Sequence, residues 1–142
     1  MRRGFSLIEL ILGLALLGIL CAVAIPRLGD QLDRLAVRRA VGEAWSFYQA
    51  ARFSALVRGS AVRLHFRPDS LIAAYELARD SVFLSRPGPG QDRVEMLGSK
   101  LVTRLHANGL GAGAANLTLT FRRGRYQEKL TLSRLGRLRR WR

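Results

Sequence analysis

Cysteine, histidine, lysine and acidic residues are all scarce in this 142-residue chain, and each scarcity excludes something. The single cysteine, Cys21, permits no intramolecular disulfide, so any globular part must be held by packing. The two histidines, His65 and His106, stand far apart with no metal-ligand spacing around them. Gly109-Leu110-Gly111-Ala112-Gly113 has the glycine content of a phosphate loop, but no Lys-Ser/Thr pair follows it and no strand–turn–helix context surrounds it. Nothing in the sequence points to catalysis, to a bound metal or to a cofactor, so the chain reads as a non-enzymatic protein.

Acid is outnumbered: 10 Asp and Glu face 24 Lys and Arg, a formal net charge of +14. Lys100 and Lys129 are the only lysines. Arginine makes planar, two-pronged contacts to phosphate and carboxylate, so this excess favours anionic partners. The length suits one small domain plus one appended element. Much of the 49% hydrophobic content falls within the first twenty-five residues, so the average blends one apolar and one strongly basic regime.

The apolar regime begins behind Arg2 and Arg3. From Leu10 to Ile25 there is no charged residue, and Phe5 to Ile25 is long enough to cross a hydrocarbon layer of about 30 Å. The positive-inside rule keeps the N-terminus cytoplasmic and sends the rest outward. A secretory signal places its apolar stretch before a small-residue cleavage site; here the basic leader ends at Gly4 and the apolar stretch follows. Glu9, a carboxylate near the start of a spanning helix, is costly in lipid, and such groups are paired and functional.

Gly4-Phe5-Ser6-Leu7-Ile8-Glu9-Leu10 resembles the type IV prepilin signature. The resemblance implies that a membrane-embedded prepilin peptidase cuts between Gly4 and Phe5 and methylates the new amine of Phe5. It further implies that Glu9 pairs with the amine of a neighbouring subunit during assembly. Gly18 and Pro26 weaken an uninterrupted helix, and in filaments of this kind the stretch between them loses helicity.

After the span, apolar residues from Leu28 through Leu32, Leu35, Ala36, Ala40, Val41, Ala44, Trp45, Tyr48 and Ala51 recur at helical spacing. Residues 27–58 therefore form an amphipathic helix whose stripe needs a sheet to cover it, with Trp45 and Tyr48 in the core. Arg58-Gly59-Ser60 ends it. Strand-like runs follow at 61–66, 71–77, 81–85, 94–97, 101–105, 117–121 and 130–133, with loops at 86–90 and 108–115 and a hairpin turn at 122–125.

One long helix followed by antiparallel strands is an α+β arrangement, matching the type IV pilin fold: residues 1–4 as leader, 5–26 as transmembrane helix, 27–58 as amphipathic helix and 59–142 as a small β-sheet domain. The finer order resembles the GspH/FimT family of minor pilins and pseudopilins, and Gly136-Arg137-Leu138-Arg139 is similar to the Gly-Arg-x-Arg ending of DNA-uptake members. That resemblance implies a single-pass subunit of the bacterial inner membrane, its soluble domain outside the cytoplasm. Its partners would be other pilins or pseudopilins, inner-membrane lipid and, for an uptake member, double-stranded DNA.

Candidates for the DNA contact are Arg122, Arg123, Arg125, Lys129, Arg137, Arg139, Arg140 and Arg142, opposed in this stretch by Glu128 alone. Arginines on strands and turns supply phosphate contacts, and Trp141 has a face on which a base can stack. The same charge suits acidic protein neighbours or anionic lipid head groups. Two functions stay open: DNA capture by a minor pilin in natural transformation, and a purely structural pseudopilin of a type II secretion system.

Overall fold

The computed structural model describes residues 6–76, 81–98, 101–112 and 116–141. Gly4, Phe5 and Arg142 lie outside these, as do the last residue of the expected 71–77 strand and the last three of the 108–115 loop.

A single helix, α1, runs from Leu7 to Arg58. Its first turn closes on the Ser6 carbonyl, which accepts from the N–H groups of Glu9 and Leu10. Its end is a Schellman-type cap: Gly59 turns left-handed at φ +59°, and the Ser60 N–H donates to the Ala55 carbonyl at 3.2 Å. The helix continues through both Gly18 and Pro26. Having no N–H, Pro26 leaves the Ala22 carbonyl without its usual helical donor.

By its contacts the chain divides into two units, Met1–Leu32 and Asp33–Arg142, so the boundary falls within the expected amphipathic segment. The described part of the first unit is α1 alone. It is long and apolar enough to cross a membrane, and none of its most apolar stretch is buried within the chain. A Cβ at Gly13, Gly18 or Gly29 would meet nothing within 4 Å.

In the second unit the inward stripe of α1 is Val37, Ala40, Val41, Ala44, Phe47, Tyr48, Ala51 and Ala55, all buried. This corrects the sequence reading at two aromatics. Trp45 sits on the flank of the stripe and is 36% exposed, whereas Phe47, on the opposite flank, is fully buried against the edge of Phe66 with ring centroids 5.7 Å apart. Leu28, Leu32 and Leu35 are exposed as well.

Among the described residues nine strands follow: β1 Val62–Phe66, β2 Ser70–Tyr75, β3 Ser81–Pro87, β4 Glu95–Gly98, β5 Val102–Leu105, β6 Gly111–Ala112, β7 Leu117–Arg123, β8 Tyr126–Leu132 and β9 Leu138–Trp141. They form two antiparallel sheets, ordered β3-β2-β1-β5-β6 and β4-β7-β8-β9. β1, β7 and β8 bury alternate residues, as strands of a sheet covered on one face do. Val62, Leu64 and Phe66 of β1 and Leu117, Leu119 and Phe121 of β7 join the α1 stripe in one core. The sheets are tied at one corner by the Gly111 N–H, which donates to the Arg134 carbonyl at 2.9 Å.

Several boundaries differ from expectation. The β7–β8 hairpin turns tightly on Gly124 and Arg125, with Gly124 at φ +57°, so Arg122 and Arg123 remain in β7. The glycine-rich 108–115 segment contributes β6 rather than loop alone. The basic chain end adds a strand that was not expected, because residues 138–141 pair with β8 in register, Lys129 opposite Trp141 and Leu132 opposite Leu138.

Candidate functional site

Two regions carry the functional expectations. At the N-terminus, Glu9 lies in the first turn of α1, where a carboxylate faces the positive end of the helix dipole. The next charged residue along the chain is Arg27. Glu9 is exposed, so its carboxylate is open to a partner from outside the chain.

The second region is the β4-β7-β8-β9 sheet, whose pleat sorts the basic residues by face. Along β8, Glu128, Leu130 and Leu132 point inward and Gln127, Lys129 and Thr131 outward. Register then places Arg139 and Trp141 of β9 beside Thr131 and Lys129 on the outer face, and Arg140 opposite Leu130 on the inner one. On β7, Thr118, Thr120 and Arg122 are outward, and the Thr118 and Thr131 hydroxyls meet across the strands at 3.2 Å.

The expected DNA-binding residues therefore separate. Arg140 is committed to the interior edge: its Nε donates to Glu128 Oε2 at 2.6 Å and its guanidinium meets the same oxygen at 2.5 Å. Glu128 is itself buried, and Arg38 of α1 stands 3.9 Å from its other oxygen. Arg123 is likewise taken up, pairing with Asp33 at 2.8 Å and donating to the Asp92 carbonyl at 2.6 Å. The side chains of these two hold strands to the helix and to the β3–β4 connection.

Arg122 pairs loosely with Glu95 at 3.7 Å, both groups more than half exposed. Arg125 is exposed at the β7–β8 turn and Arg137 in the turn before β9. Lys129 and Arg139 are exposed on the outer face, and the Arg139 guanidinium lies 4.6 Å over the Trp141 ring. Gln127, Lys129, Thr131 and Trp141 line an open recess of about 480 Å³. A surface of this kind offers cations and one aromatic face to an anionic, planar ligand.

The glycine of Gly136-Arg137-Leu138-Arg139 has a structural cause. Gly136 sits at φ +75° in the β8–β9 turn, and a Cβ there would stand 2.9 Å from Arg52 Nε. Arg52 Nε in turn donates to the Gly109 carbonyl at 3.1 Å. Sequence reasoning missed the Arg38–Glu128–Arg140 cluster. Its legible trace was that Glu128 shares parity with Leu130 and Leu132, which puts it on the buried face.

Residues 1–25 match the prokaryotic N-terminal methylation motif. Over 61 residues the chain is 43% identical to two fimbrial proteins of Pseudomonas aeruginosa, a stretch covering 43% of this chain and 39% of each relative. The fold is similar to that of the Pseudomonas aeruginosa type IV minor pilin FimU in two crystal forms. One superposes with a TM-score of 0.64 at 18% identity, covering 75% of this chain and 89% of that one; the other gives 0.61 at 17%, covering 74% and 92%. The chain thus carries the N-terminal methylation motif over residues 1–25 and, in its fold, a long helix packed on antiparallel sheet, is similar to a type IV minor pilin.

Proposed function

We propose that this chain is a minor pilin-like subunit that prepilin peptidase trims at Gly4-Phe5 and that assembles into a type IV pilus or a type II secretion pseudopilus. The observation that carries the reading is Glu9, an exposed carboxylate in the first turn of a helix with no further charge before Arg27. Left unpaired in lipid this group is costly; opposite the methylated amine of a neighbouring Phe5 it is neutralised and fixes the register between subunits. The apolar half of α1 anchors the precursor in the inner membrane, its basic N-terminus on the cytoplasmic side. The stretch between Gly18 and Pro26 loses helicity on assembly, because one residue has low helix propensity and the other lacks a donor. Glu9→Ala tests the assembly role: the variant should insert into membranes like the parent yet be missing from sheared filaments. Normal incorporation would remove the pairing role.

A second reading, DNA capture, is favoured by the gathering of Lys129, Arg139 and Trp141 on one sheet face. Phosphate contacts position a protein without reading bases, so binding to duplexes would be insensitive to sequence and would weaken steeply with salt. Fluorescence anisotropy of the full-length chain in detergent, titrated against native and scrambled duplexes, checks both properties. Undetectable binding at low salt would leave the purely structural role.

A further inference from the structure

The last turns of α1 end in an apolar surface with no cover. Phe53, Leu56 and Val57 occupy one side of the helix and are 68%, 48% and 67% exposed. Two turns converge beside them. Gly109 packs so tightly on Leu56 that a Cβ would come within 3.1 Å, and Gly136 lies against Arg52 and the Gly109 carbonyl. Each buried glycine is followed or preceded by an exposed leucine, Leu110 and Leu135. The positive φ of both glycines, +72° and +75°, sets the turns that lift these leucines outward. Phe53, Leu56 and Val57 of α1 and Leu110 and Leu135 of the adjoining turns are thus exposed apolar side chains gathered at one end of the domain.

Its rim is of one sign. Segments 52–58, 106–110 and 133–137 contain Arg52, Arg58, Arg134 and Arg137 and no Asp or Glu. Glu76, which reaches this end of the domain through its N–H to the Ala61 carbonyl, is occupied by Arg63 at 2.9 Å and Arg104 at 2.6 Å. These segments thus supply the rim with arginine and no carboxylate.

We infer that this face docks a protein partner whose contact surface is apolar at its centre and ringed by carboxylates. A second copy of this chain does not fit, since it would bring the same arginines and a net charge of +14 against them. Nucleic acid does not fit either, because five exposed apolar side chains at the centre offer a phosphate backbone nothing. The face lies at the end of the second unit opposite Asp33, about 30–36 Å along α1 by helix rise. The inference rests on the assembly reading, with the partner being another subunit of the filament.

The test uses the full-length chain in its own cells, with a photo-crosslinking amino acid at Leu110 and the sheared filament fraction collected. Irradiation should yield an adduct whose partner peptide, sequenced by mass spectrometry, has an apolar residue flanked by Asp or Glu. The yield should fall about tenfold in Phe53→Ser/Leu135→Ser and in Arg134→Glu/Arg137→Glu, as when an interface anchor is lost. Both pairs are exposed, and circular dichroism of each variant should match the parent. An unchanged yield in both variants, an adduct to a second copy, or an adduct to lipid or nucleic acid overturns the inference. If the chain is found in filaments but gives one of those results, the docking face alone fails; if it never enters filaments, the assembly reading fails and the docking face with it.

Discussion

Arg140 on the edge strand β9 donates through Nε to Glu128 on β8 at 2.6 Å, and that carboxylate is buried on the inner face of the sheet. The contact fastens the last strand to a position the sheet otherwise gives to apolar side chains. Arg38 approaches the same carboxylate from α1, so one acid links helix, central strand and edge strand.

Glu128→Gln should therefore loosen the chain end. Losing charge-assisted hydrogen bonds costs about 1–3 kcal/mol, moderated because both arginines are about one-third exposed and can rehydrate. Thermal unfolding of the full chain in detergent would show the drop. Hydrogen exchange should localise the extra opening to residues 138–141. Unaltered protection there would contradict the fastening role.

Arg139 and Arg140 are neighbours with opposite duties. Arg139→Gln should leave stability within about 0.5 kcal/mol, as expected of an exposed surface residue. If DNA capture holds, combining it with Lys129→Gln should flatten the log–log salt dependence of binding by roughly two units, about 0.9 per lost phosphate contact. Arg140→Gln should instead lower stability, because it leaves Glu128 buried without its closest partner. Equal effects of the two single substitutions on stability would show that the faces are misassigned.

Gly136 was legible in the sequence as part of a motif, but not its reason. At φ +75° a side chain is strained by about 1–2 kcal/mol, and a Cβ would press on Arg52 as well. Gly136→Ala should lower the unfolding midpoint clearly. Gly18→Ala, with nothing within 4 Å of the added Cβ, should not, and should favour helix by up to about 1 kcal/mol.

Much of the architecture could be read from pattern. The helix end at Gly59, the strands alternating from Leu117 and the turn at Gly124 all announce themselves through residue type. What escaped were features set by distant partners. β8 seemed to begin at Leu130 because Tyr126–Lys129 looks polar, yet Glu128 fills an inward position through arginines 12 and 90 residues away (Arg140 and Arg38). Trp45 and Phe47 both flank the helix stripe, and only the placement of Phe66 decides which is covered. Pairing of β9 was hidden too, because Leu138-Arg139-Arg140-Trp141 shows no alternation of apolar and polar residues.

Tyr48 gives a pH dependence. Burial raises its phenol above the ordinary value of 10.0, with the Arg52 guanidinium pulling partly the other way. A raised folded value means the native state holds the proton longer than the unfolded chain, so this contribution is complete below pH 10 and is lost as pH climbs through the folded value. Stability should fall at alkaline pH, and Tyr48→Phe should remove that part of the decline. A parallel decline in both proteins would assign it elsewhere.

The account stands most directly on the N-terminal peptide of the chain recovered from purified filaments, read by mass spectrometry. It should begin at Phe5 and carry one N-methyl group on the amine, with residues 1–4 gone, and Gly4→Val should abolish both the trimmed peptide and the chain's presence in the filaments. A filament-borne chain that begins at Met1, or at any residue other than Phe5, would contradict it.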